Sequence, residues 1–138
     1  MSDRLHGVAP RDPVLDDEMT LRRVREICHG FEGADEGELQ NRPLFHVARR
    51  RFAIFNGQTS PPRPRWNSAG RSLHFVTDPL ERDALRQDGR FTKSPHHGDR
   101  GWFSMTLEYA DLLDWDEVAE ILESAFRQVA QVGNRFRR

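Results

Sequence analysis

Six apolar residues, Trp115, Val118, Leu122, Ala125, Val129 and Val132, recur at heptad spacing near the end of the chain. Ile121 and Phe126 lie alongside them. At helical periodicity these side chains form one continuous stripe. A helix with such a stripe owes most of its stability to the surface that covers it. The preceding Asp114-Trp115-Asp116-Glu117 has the form of a capping box, with a side-chain acceptor followed three residues later by a glutamate. The rest of the chain must therefore supply an apolar surface for a long C-terminal helix.

Alternating segments predict that surface to be a sheet. Phe45 and Val47, then Phe52 and Ile54, flank Ala48-Arg49-Arg50 and read as a hairpin with a basic tip. Glu36 to Gln40 is a weak edge-strand candidate, and Asn56-Gly57 is a turn signal. Ser72 to Thr77 reads as a third long strand. Gly101 to Leu107 reads as another, with Trp102 and Ser104 on one face and Phe103 and Met105 on the other. A first helix is expected to start near Asp16 or Asp17, with Leu21, Val24, Cys28 and Phe31 as its stripe and Gly30 and Gly33 as its stop. Asp78-Pro79-Leu80-Glu81 opens a second helix, with Leu80, Ala84 and Leu85 as its buried face and Gly89 as its end. Residues 92–100 read as a loop. The order is helix, strands, helix, one or two strands, helix. It predicts an α+β, two-layer domain, an antiparallel sheet with helices packed on one face. Residues 1–14 are expected to be a disordered lead, 15–132 a single domain, and 133–138 a basic tail.

A chain of 138 residues has room for one core, and nine Phe and three Trp are enough to fill it. The single cysteine excludes an internal disulfide and a Cys-rich zinc site. Its place on the first helical stripe makes Cys28 a core residue. No apolar run approaches the roughly 18 residues that span a bilayer, and Met1 to Pro10 has no hydrophobic region of the kind a signal peptide needs. A cytoplasmic protein with no membrane role is the expectation. The formal net charge is −1, but residues 42–100 hold 12 Arg and Lys against five acids, while residues 101–126 hold seven acids and no base. Blocks of this kind can fold into separate positive and negative faces.

The basic block carries the main chemical signal. Arg49, Arg50 and Arg51 sit at the hairpin tip. Arg63 and Arg65 flank Trp66 within the Pro- and Arg-rich loop 58–71. Arginines in such a setting contact phosphates, and an exposed tryptophan stacks on a base. His96-His97 with Asp99, and with His46 or His74 as further partners, lacks metal-ligand spacing, so no metal is expected. The acidic residues from Glu108 to Glu123 fit capping and a solvated helix face. No Gly-rich phosphate loop, no nucleophile elbow and no exposed Cys-His pair is present, so neither an enzyme nor a cofactor is expected.

Several segments, in order, resemble the MmcQ/YjbR family of small bacterial proteins. They are Phe31-Glu32-Gly33 after the first helix, Phe45-His46-Val47, and Arg51-Phe52-Ala53. Next come Leu73 to Thr77 running into Asp78-Pro79, Arg100-Gly101-Trp102, and Asp114 to Glu117 leading to Glu123-Ser124-Ala125-Phe126. The resemblance covers about residues 18–132. It implies an α+β fold shaped like the type III secretion chaperones, and a DNA-binding label. The chain departs from the family where Ala48-Arg49-Arg50 replaces the usual Gly-Gly-Lys, where Val76 replaces a common lysine, and in the length of the 58–71 loop. Together these readings predict a monomer that binds DNA weakly, with salt sensitivity and largely without sequence preference. Arg49, Arg50, Arg51, Arg63, Arg65 and Arg100 would meet phosphates, and Trp66 would stack. The alternative expectation is an adaptor that takes a protein or a small ligand on the sheet face.

Overall fold

The computed structural model describes residues 13–57, 71–94, 100–108 and 112–135, with side chains over 17–57, 71–94, 100–108 and 112–130. Helix α1 spans Pro13–Cys28. It is followed by β1 (Asp35–Leu39), β2 (Arg42–Val47), β3 (Arg50–Asn56) and β4 (Ser72–Val76). A 3₁₀ turn (Pro79–Glu81) leads into the short α2 (Arg82–Gln87). The chain then forms β5 (Phe91–Lys93), β6 (Trp102–Thr106) and α3 (Trp115–Arg135). The six strands make one sheet in the order β1-β2-β3-β4-β6-β5, and every neighbouring pair is antiparallel. The predicted α+β architecture is the observed one.

Helices α1 and α3 bury their stripes on one face of this sheet. Leu21, Val24 and Cys28 of α1 join Val118, Leu122 and Ala125 of α3. They pack with Phe45, Phe55, Leu73, Phe75, Phe103 and Met105 from the strands. Asp114 caps α3 as its sequence requires, its Oδ1 accepting from the amides of Asp116 and Glu117. Helix α1 begins at Pro13, ahead of the Asp16 or Asp17 expected, because proline suits a first helical turn. Asp17 consequently lies within the helix. It is fully buried and ion-paired with Arg71 just ahead of β4. Between β2 and β3 the register shifts at Phe45/His46. The shift puts Phe52 in the main core while Ile54 belongs to the opposite face, with Leu44 and Trp102.

Three local readings are corrected. The second helix has no buried face: Leu80 is 91% exposed and Ala84 is exposed, leaving Leu85 alone half-buried. A 3₁₀ start and a six-residue α2 are too short to present a stripe, although Asp78 caps the turn by accepting from the Leu80 amide. Phe91–Lys93, read in part as loop, is the edge strand β5, because its pairing with β6 completes the sheet. Asn56 is no turn residue. It ends β3, fully buried.

Gly101 opens β6 with φ of +82°, and a Cβ there would stand 2.2 Å from Nη2 of Arg82. Only glycine lets that guanidinium settle on the strand entrance. Arg82 donates from Nε to Thr77 Oγ1 at 3.0 Å and from Nη2 to Thr77 O at 3.2 Å, and Thr77 Oγ1 donates to Gly101 O at 2.6 Å. This knot fixes the ends of β4 and β6 together.

Candidate nucleic-acid interface

The hairpin tip is built by a two-residue turn. Val47 pairs with Arg50, and the residues between them, Ala48 and Arg49, have φ of 50° and 66°. Two successive left-handed residues are the signature of a type I′ turn, whose twist matches the flanking strands. Arg49 is thereby held at the extreme end of the hairpin, and Arg50 and Arg51 begin the return strand. All three are exposed. Immediately behind them an aromatic trio stiffens the base. Phe31 stacks on Phe126 at 4.9 Å between centroids, and Phe52 meets both edge-on, at 6.2 Å and 5.7 Å.

Register places Arg100 at the same end of the sheet. Ala53 pairs with Phe75 and Phe75 with Phe103, so β3 and β6 run in the same direction with β4 between them. Arg50 lies three residues before Ala53, and Arg100 lies three before Phe103. Arg50 therefore opens β3 and Arg100 precedes β6 at the same end of the sheet, with the end of β4 between them. Arg49, Arg51 and Arg100 are exposed and make no ion pair among the described residues. Arg63, Arg65 and Trp66 lie outside the described residues, as do His96, His97 and Asp99.

The helical side of this end carries the opposite charge. A cleft of about 440 Å³ is lined by Asp78, Glu81, Glu120, Glu123, Ser124 and Arg127. Arg127 there is already paired with Glu123 at 2.6 Å. A polyanion is repelled from that side, so the basic tip is approachable from the side away from α1 and α3.

That other face of the sheet joins Arg42 and His74, which the sequence reading weighed only as a phosphate contact and a metal ligand, into one buried network. Arg42 Nε donates to Asn56 Oδ1 at 3.0 Å, and Asn56 Nδ2 donates to Ser72 Oγ at 3.1 Å. Ser72 Oγ lies 3.1 Å from His74 Nε2, and His74 Nδ1 lies 3.0 Å from Ser94 Oγ. All five residues are buried, His74 and Asn56 completely. Burial lowers the pKa of Arg42 from its ordinary value. The only sequence signal was the alternation of Ser72 and His74 with Leu73 and Phe75, which equally describes a solvated face. Cys28 is in the core as expected. Burial pushes its thiol well above the ordinary range, with Glu36 adding to the shift, so it is no nucleophile. Among the described residues no group of three or more His, Cys, Asp or Glu is placed to hold a metal ion. Among them, too, no helix is long and apolar enough to cross a membrane.

The YjbR family profile matches residues 29–128, from the end of α1 to the last third of α3. The chain belongs to the YjbR family. Within this YjbR domain the matched stretch contains the whole sheet, the basic tip and Arg100. No curated protein matches the chain.

Proposed function

We propose that this YjbR protein binds nucleic acid, DNA foremost, through the basic end of its sheet, without catalysing a reaction on it. Arg49, Arg50, Arg51 and Arg100 contact phosphates, whereas the segment that holds Arg63, Arg65 and Trp66 leaves β3 at Asn56 and rejoins the sheet at Ser72, at the end opposite the tip, and is not counted in that contact. The supporting observation is that Arg49 and Arg51, exposed and without ion pairs among the described residues, stand with the exposed Arg50 on a hairpin stiffened by Phe31, Phe52 and Phe126, at the end of the sheet where the exposed Arg100 precedes β6. Phosphate contacts position a protein without reading sequence, so the binding is largely sequence-independent. The acidic cleft on the helical side sets the orientation of the partner. A monomer in the bacterial cytoplasm suits such a role.

The test is fluorescence anisotropy with a labelled duplex and a labelled single strand. With three to four phosphates neutralised, log K against log salt on the duplex should fall with a slope of about −3. Arg49→Ala combined with Arg50→Ala should abolish most of the binding at low salt. Absence of binding at about 50 mM salt would sink the reading. Affinity for a protein partner that ignores salt would favour the adaptor reading instead.

A further inference from the structure

His46 stands near the basic tip, and its ring makes no hydrogen bond among the described residues. It is half-buried, in register between Asp35 of β1 and Arg51 of β3. Its ring lies over Gly37, with Nε2 and Cδ2 at 3.7 and 3.8 Å from where a Cβ would be. The absent side chain leaves that flank of the imidazole uncovered. We propose that His46 is a proton-linked phosphate contact, so that acidification strengthens nucleic-acid binding by the hairpin end. This inference rests on the reading of that end as the binding surface.

The charged groups facing His46 among the described residues are few. β1 presents Asp35, and β3 presents Arg51, with Arg50 and the turn residue Arg49 beyond it. On its own strand the nearest is Arg42, four residues away and engaged with Asn56. The helices pack on the opposite face. There His29 and Arg25 of the α1 region both bond Glu36, at 3.1 and 2.8 Å, and so are separated from His46 by the sheet. In the free protein an imidazolium would be attracted by Asp35 and repelled by Arg51. A phosphate bound at the tip changes that balance in favour of the charged ring. Binding and protonation then promote one another, because the coupling is reciprocal. Histidine is the side chain whose charge ordinarily changes between pH 5 and 8. The extra attraction is therefore present on the acid side and lost as the pH rises.

The experiment measures anisotropy of a labelled duplex at about pH 5.5 and about pH 8, at constant ionic strength. The wild-type protein is compared with His46→Gln and His46→Lys, each checked for folding by circular dichroism. One added surface charge pair should tighten wild-type binding about two- to five-fold at the lower pH. His46→Gln should show no such change, and His46→Lys should bind tightly at both. Persistence of the pH effect in His46→Gln overturns the proposal, because another histidine, such as His96 or His97, then carries it. Wild-type binding that is equal at both pH values overturns it too, and leaves the binding surface itself intact. Absence of wild-type binding at either pH removes the surface and the proposal together.

Discussion

Arg42 settles the direction of the hydrogen bonds on the second face of the sheet. A guanidinium only donates, so Asn56 must turn its Oδ1 toward it and its amide N–H toward Ser72. The Ser72 hydroxyl in turn lies within hydrogen-bond distance of His74 Nε2, and His74 Nδ1 within that of Ser94 Oγ. The direction of donation from Arg42 through Asn56 to Ser72 is thus set by a residue two strands away from His74. Breaking this chain near its start strips a partner from two buried groups at once. Asn56→Ala should lower stability by about 2–3 kcal/mol, more than a single exposed bond is worth. Urea denaturation would show this as a lower midpoint with an unchanged slope. A loss below about 0.5 kcal/mol would mean that the neighbours or water satisfy the chain without Asn56.

At the scale of elements, the hairpin β2–β3 pairs a demanding turn with poorly suited residues. Both central positions of the type I′ turn are left-handed, and neither Ala48 nor Arg49 is a residue that favours that region. The β1–β2 turn repeats the pattern with Gln40 and Asn41, at φ of 52° and 65°. Each unfavourable alanine or arginine in this region costs about 1 kcal/mol or more. Ala48→Asn should therefore raise stability by about 0.5–1 kcal/mol, read as a higher urea midpoint. It keeps all three arginines, so binding to nucleic acid should not change. The same hairpin shows what the sequence could tell. Its two strands and its basic tip were legible, because Phe45 and Val47 alternate and Arg49 to Arg51 are contiguous. The shift at Phe45/His46 was not, since Phe52-Ala53-Ile54-Phe55 is apolar throughout and hides the change of phase that a bulge makes, and so Ile54 could not be assigned its face. β5 escaped for a related reason. Three residues carry too little pattern to be read, and its identity comes from pairing with β6, ten residues onward. The Asp78 cap was readable, yet it opens an element too short to bury Leu80. As for the candidate interface, Arg100 could be named from sequence, but its place at the same end of the sheet as Arg50 depends on β4 lying between β3 and β6.

Across the whole molecule, the alternating charge blocks resolve into sides. Carboxylates from the 3₁₀ turn and α3 gather on the helical side of the sheet end, while the arginine tip projects beyond it. That division holds only while α1 and α3 stay on their face, and Asp17 with Arg71 secures α1 there. The Asp17 carboxylate, fully buried, pairs with the Arg71 guanidinium. Arg71 in turn donates from Nη1 to the carbonyl of Leu107 at 3.0 Å, and its own amide donates to Glu108 Oε2 at 2.8 Å. One arginine thus links α1, the entrance of β4 and the exit of β6. Replacing such a pair by apolar residues can be harmless, but removing one member leaves a buried charge without its partner. Asp17→Ala should cost about 3–5 kcal/mol, a large part of the 5–15 kcal/mol typical of a folded domain. The loss should be uneven in space. Hydrogen exchange should quicken first in α1, whose docking depends on the pair, while the amides of β3 and β4 at the centre of the sheet stay the slowest. Uniform quickening across helix and sheet would instead mean that α1 and the sheet open as one unit, with the ion pair supporting the whole core and not the seating of one helix.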